Sequence, residues 1–478
     1  MRITLKNLLA LTCALIAFSY SYSQDSFEKG INAAKNGDYV TAVNLLKSTV
    51  NSEDSYEGFY YYGLALLNTG SIKQAENEFQ KALKKDSEGI GALKGMGDLY
   101  SKKKDYTKAD SYYDKAIKVE PENLDLMLAK AKNLTVAGKI DDALNVLALA
   151  KTVGSESPEI YVGLGDAYYY RRAFKPAEEN YQKALKLKSG NAKAFYGLGM
   201  IAFREREFNN ALDYFNKAIT SNPNFADAYL EKGRLLYFNE NYDEALKTFE
   251  KYAQLQPGSV DGLTYIAKVK YGQKKYDEAL SDLEKIIKEN PDADLSSAYK
   301  YMAYVYNEKE EYEKAKEYFS KVPKDLFDIE DHIKLAQIYS NTNEFSKSYA
   351  EFDEAIKQDS TVPYIYYQMG IVQFNEKKYS DAIINFQKAI DMGTTQLAAY
   401  VYKGLSLYSL QKYDQSLAEF NIAISKDDKY VPAWLWRARS EVQLDKFEDA
   451  KISYKKVLEL EPDNKSARED LDIIEKKQ

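Results

Sequence analysis

Cysteine and histidine are almost missing from this chain, with one of each, Cys13 and His332, in 478 residues. A disulfide needs two thiols, and a zinc site of Cys or several His needs more of those ligands than exist here, so both are excluded. Catalysis by a thiol or a histidine-activated nucleophile would rest on His332 alone. Proline (10) and glycine (23) are scarce, as suits a folded chain rather than a disordered one. After the first two dozen residues no apolar run approaches the ~20 residues of a membrane-spanning helix. Basic charge is not in excess either: the net charge is −7 with both signs interspersed, which makes no case for nucleic-acid binding. What abounds is tyrosine, with 43 residues.

The first residues read differently from the rest. Arg2 and Lys6 precede an apolar run from Leu8 to Phe18, followed by Ser19-Tyr20-Ser21-Tyr22-Ser23. That is the layout of a secretory signal cut after Ser23, and it predicts an exported protein; the richness in lysine, tyrosine and asparagine with little arginine and cysteine adds the expectation of a periplasmic or envelope-associated protein of a Gram-negative bacterium. Cys13 lies inside the segment. Lipidation at Cys13 is the competing reading, but Leu11-Thr12 fits a lipidation box poorly and Ala14 to Phe18 continue the apolar run.

Beyond the signal, small residues recur in step: Gly30, Gly63, Gly97, Ala131, Gly165, Gly199, Gly233, Ala267, Ala303, Ala336, Gly370, Gly404 and Ala438. The spacing is 34 residues at most steps, and self-similarity at that period predicts a repeat array. Twelve residues after each stands a second small residue, such as Ala75, Ala177, Ala279 or Ser348. An aromatic or isoleucine comes three before it and a large apolar residue four after it, as with Phe79, Tyr113 and Phe386. Offsets of three and four put these on one helical face. Each unit therefore reads as two antiparallel helices in close approach, and the prolines fall between units, at helix starts or, for Pro323, in a connector. Two extra residues near Asp292-Ala293-Asp294 and one missing in 322–327 disturb the register. The expected organisation is a signal peptide over 1–23, repeats one to eight over 24–295, repeats nine to thirteen over 296–464, and a polar capping helix over 465–478.

Tyr229, Lys232-Gly233, Leu236, Tyr242, Ala245, Phe249 and Pro257 stand where the tetratricopeptide repeat family has its signature residues, and the chain resembles that family over thirteen units. The resemblance implies an all-α fold, an α-solenoid wound as a right-handed superhelix, whose first helices line a concave groove that binds proteins or peptides. No cofactor, metal or enzymatic activity is expected. Gly89 to Gly97 has neither the dinucleotide nor the Walker spacing, which leaves Gly97 a packing residue, and His332 takes an aromatic's packing place. The acidic residues carry no signature of a catalytic pair.

At positions that point into the groove in the family, this sequence places Tyr169 and Tyr170, then Tyr196, Phe203 and Arg204, then Arg234, Tyr237 and Phe238. Arginine is rare, yet Arg171, Arg172, Arg204, Arg206 and Arg234 crowd into this stretch. Tyrosine and arginine are enriched at interface anchors, so the stretch is the candidate partner-binding patch. The expected function is a non-enzymatic protein-interaction scaffold of the cell envelope. A glycan-binding or carrier protein using an aromatic-lined groove is the alternative.

Overall fold

The computed structural model describes residues 24–256, 259–291 and 293–476. The signal segment with Cys13, Pro257 and Asp292 lie outside the described residues. Every regular element among the described residues is helical. The helices fall into thirteen successive pairs, a first helix A and a second helix B, followed by a terminal helix Lys465–Lys476. Two compact units divide the chain, residues 1–239 and 240–478.

In the first unit, pairs such as Ile90–Lys102 with Tyr106–Val119 (repeat three) and Pro158–Tyr170 with Phe174–Leu187 (repeat five) pack antiparallel, and each B packs on the next A. The unit ends with helix A of repeat seven, Ala226–Phe238. From repeat two to repeat six, successive A helices also touch, so these A helices share one face. The reason lies in two buried positions per repeat. The second small residue, from Ala42 and Ala75 to Ala211, is wholly buried in every repeat of this unit. The large residue four places later inserts against the first small residue. A Cβ added to Gly97 would lie 2.5 Å from the Tyr113 ring, and one on Gly165 or Gly199 would lie 2.5 or 2.6 Å from Tyr181 or Phe215. Rings are also gripped from the next repeat: Phe79 touches Gly63 of its own helix A and Gly95 of the following one. Gly97 is therefore a close-packing residue, as its register predicts.

The second unit begins with helix B of repeat seven, Tyr242–Leu255, and repeats the scheme from Val260–Gly272 onward. Its ring positions Phe319, Phe352, Phe386, Phe420 and Tyr454 are all buried. Ser348 replaces the small alanine at no loss, because its hydroxyl donates to the Ala336 carbonyl at 2.7 Å. The disturbed register has a concrete form. Helix B of repeat nine, Tyr312–Ser320, has 9 residues where the next has 14, because Pro323 cannot continue a helix. A short 3₁₀ turn, Lys324–Leu326, fills the gap. The connector is fastened: Val322 and Phe327 are buried, Gln358 donates to the Phe327 carbonyl at 2.9 Å, and Lys324 pairs with Glu351 at 2.8 Å. His332 belongs to this fastening. It is 4% exposed, its Nδ1 lies 2.7 Å from Glu351, and its ring packs on Phe327.

The terminal helix buries Ala467, Leu471 and Ile474 against repeat thirteen. Arg439 ties it down through Asp470 at 3.0 Å and Ser466 at 2.6 Å. Arg439 also covers the Trp436 ring, and Trp434 donates its indole N–H to the Asp428 carbonyl, so both tryptophans are engaged in local structure.

Candidate functional site

All eight sequence candidates lie on helices A of repeats five to seven, in the first unit: Pro158–Tyr170, Ala192–Arg204 and Ala226–Phe238. Helical periodicity sorts them into two kinds. Tyr196 is a packing residue, its ring 5.9 Å from Phe215 and 5.3 Å from Phe225. Burial, with Glu231 and Asp227 adding to it, pushes its phenol far above the ordinary range. Phe203 is half-buried against Phe208. Tyr169 is half-buried against Phe174, with the Arg204 guanidinium 5.8 Å from its ring centre.

The other kind faces solvent. Tyr170 is 55% exposed and Phe238 63% exposed, and each closes the last turn of its helix A. Arg204 occupies the same register in repeat six, exposed, its Nε donating to the Tyr169 hydroxyl at 3.1 Å. Arg234 is held on Glu231 at 3.0 Å, and the Tyr237 ring meets Phe238 edge-on at 6.1 Å. Tyr170, Arg204 and Phe238 thus form one row, one residue per repeat. Helices that pack 8–10 Å apart spread such a row over roughly 20 Å. Val136, 41% exposed, extends the row into repeat four, and the sequence reading missed it because a lone valine looks like any other.

The arginine crowd separates in the structure. Arg172 and Arg206 sit in the A–B turn with left-handed backbone (φ 61° and 64°), and Arg171 caps its helix and pairs with Asp141. Only Arg204 and Arg234 belong to the helix-A face. Two carboxylates of this stretch are engaged. Asp166 accepts from the Tyr181 hydroxyl at 2.7 Å, and burial raises its carboxyl to about 6 despite that bond. Glu231 accepts from Arg234. The arrangement presents apolar rings and a guanidinium, groups that suit recognition of a chain.

In the second unit, tyrosines on the same face are drawn inward. Tyr301 meets Tyr271 and Tyr304 edge-on at 5.9 and 5.2 Å, and Tyr271 lies tilted against Tyr304 at 6.0 Å. Tyr271 donates to Glu308 at 3.3 Å and Tyr304 to Asp331 at 2.7 Å. Beside them, between repeats ten and eleven, a pocket of about 460 Å³ opens around Ile333 and Tyr364. Sequence reasoning did not single it out, because its residues match no aromatic or arginine cluster. Among the described residues, no group of His, Cys, Asp and Glu is placed to hold a metal ion. No described helix is long and apolar enough to cross a membrane.

Tetratricopeptide repeat models match residues 95–123, 162–224, 196–260, 261–293 and 431–464. The chain is similar to anaphase-promoting complex subunit 3 of Schizosaccharomyces pombe, 26% identical over 155 residues, which is 32% of this chain and 23% of that protein. It is similar to the CTR9 homologue of Arabidopsis thaliana, 29% identical over 177 residues, 36% of this chain and 15% of that one. The matches therefore span less than a quarter of either relative. Its fold is similar to that in the crystal structure of the APC/C hetero-tetramer Cut9–Hcn1, with a TM-score of 0.52 at 15% identity, over 95% of this chain and 90% of that one.

Proposed function

Since the chain belongs to the tetratricopeptide repeat family, we propose that it is an exported, non-enzymatic scaffold of the cell envelope that binds protein or peptide partners on its helix-A faces. The observation that carries this reading is the row Tyr170, Arg204 and Phe238. It offers large apolar area and a directional cation at repeat spacing. Exposed aromatics and arginine of this kind supply a disproportionate share of interface energy. A sugar-binding groove needs open ring faces beside free carboxylates. Most rings here pack between helices, and Asp166 and Glu231 are taken, which favours polypeptide.

Export rests on the leader-like first 23 residues, which lie outside the described structure. Purification from the native cell should yield a chain beginning at Gln24, read by mass spectrometry of the intact protein. The binding role is tested by affinity capture from envelope extracts with the native chain and with Arg204→Glu and Phe238→Ser combined. Both sites are at the surface, so helix content measured by circular dichroism should be unchanged while the captured partner set is depleted about tenfold or more. An identical captured set would remove the row from the account.

A further inference from the structure

The pocket of the second unit has a chemistry of its own. Ile329, Ile333 and Gln337 recur at every fourth residue of helix A in repeat ten, Ile329–Asn341, and so form one stripe. Val362 and Tyr364, at the start of repeat eleven's helix A, close the opposite wall. The volume of about 460 Å³ falls within the ~300–1,000 Å³ common for ligand sites. Its lining is chiefly apolar. Gln337 is turned to Gln368, to which it donates at 2.9 Å. Two charges flank the apolar floor. Lys334 is committed to Glu308 at 3.3 Å. Glu330 makes no hydrogen bond or ion pair with another described residue.

Glu330 is consequently the one open charge of the pocket, and it is an anion. Its surroundings disfavour that anion. Desolvation by the flanking protein raises its pKa, Asp328 and Asp331 push the same way, and Lys334 and Lys268 only partly oppose them. An exposed carboxylate at the pocket rim with no ion-pair partner is open to an incoming cation.

We propose that this pocket receives a basic, apolar segment of a partner polypeptide: a large aliphatic or aromatic side chain seated between Ile333, Val362 and Tyr364, with a neighbouring Lys or Arg on Glu330. The inference rests on the reading that the helix-A faces bind polypeptide, and it assigns that role a second site with its own sequence preference. Tyr364, 42% exposed at the rim, supplies the ring that covers the inserted side chain.

The test is selection of a displayed random 12-residue peptide library on the full-length protein, followed by fluorescence anisotropy with fluorescein-labelled copies of the enriched peptides. Enriched peptides should carry Lys or Arg within two residues of a large apolar residue. Their affinity should fall about tenfold with Glu330→Gln and with Tyr364→Ala, as expected for losing one interface anchor. Selection on Glu330→Lys should favour Asp or Glu in place of the base. Ile384→Ser, on the exposed side of a B helix, should change nothing. Enrichment of peptides that lack this pattern, or affinity indifferent to both Glu330→Gln and Tyr364→Ala, would overturn the pocket while leaving the scaffold reading standing. Failure to enrich any peptide above a blank surface would count against both.

Discussion

Most interior rings among the described residues face a glycine. Glycine meets a ring at Gly63, Gly97, Gly165, Gly199, Gly370 and Gly404. Alanine meets leucine at Ala131 with Leu147 and at Ala267 with Leu283. Repeats nine, ten and thirteen depart from this with alanine opposite a ring, and repeat one with Gly30 against Leu46, and nothing in the structure explains the difference. Gly97→Ala should therefore destabilise the first unit. Overpacking against Tyr113 costs about 1–3 kcal/mol, offset in part by the ~1 kcal/mol helix preference of alanine. In urea unfolding, the double change with Tyr113→Leu should lose less than the sum of the single changes. A second prediction concerns Asp166. Its folded carboxyl, raised by burial, titrates near 6, whereas an unfolded aspartate titrates near 3.8. The native state thus holds a proton over that window that the unfolded chain has released. The stability this group contributes is complete below pH ~4 and is lost as pH rises through 6. Asp166→Asn should stabilise the protein by about 1–2 kcal/mol at pH 7.5 and change little at pH 4, read from urea midpoints at the two pH values.

At the scale of the element, the A–B turn is the most regular feature of the chain and one of the least legible. Its left-handed residue is glycine at Gly37, Gly70 and Gly138, but Lys104, Arg172, Arg206, Lys274, Lys377 and others elsewhere. The turn closes the same way in either case. In repeat three, for example, the Asp105 N–H returns to the Tyr100 carbonyl at 2.9 Å. Because the turn's hydrogen bonds are backbone to backbone, they leave no side-chain signature. Arg172→Gly should relieve the left-handed strain and stabilise by about 0.5–1 kcal/mol, with Gly138→Ala losing a similar amount, both read from thermal unfolding. The small and large packing positions, by contrast, were readable from the sequence, since the volume allowed at each is tightly limited and recurs in phase. Pro323 was readable as a connector. The shortened helix Tyr312–Ser320 and the 3₁₀ turn behind it were not, because Phe327 and Val322 find their buried places only through tertiary packing.

At the scale of the whole molecule, periodicity accounts for the scaffold and leaves function to the residues it does not use. The sequence singles out one stretch but does not divide it. Tyr196 and Phe203 serve packing, Arg172 and Arg206 sit in turns, and Tyr170, Arg204 and Phe238 stay exposed. Which side of a half-apolar helix faces a neighbour depends on the adjoining repeat, and a single helix's sequence does not carry that. The pocket around Glu330 was missed for the same reason, since its two walls come from different repeats. The account's central claim is that partners bind the helix-A faces and not the B helices. Photo-crosslinking in the native cell tests it most directly, with benzoylphenylalanine placed singly at Tyr170, Phe238 and Tyr364 on A helices and at Ile384 and Ile452 on B helices, all of them exposed. Adducts with a partner polypeptide at the three helix-A positions and none at the two helix-B positions are predicted. Adducts confined to Ile384 and Ile452, or equal at all five, would contradict the account.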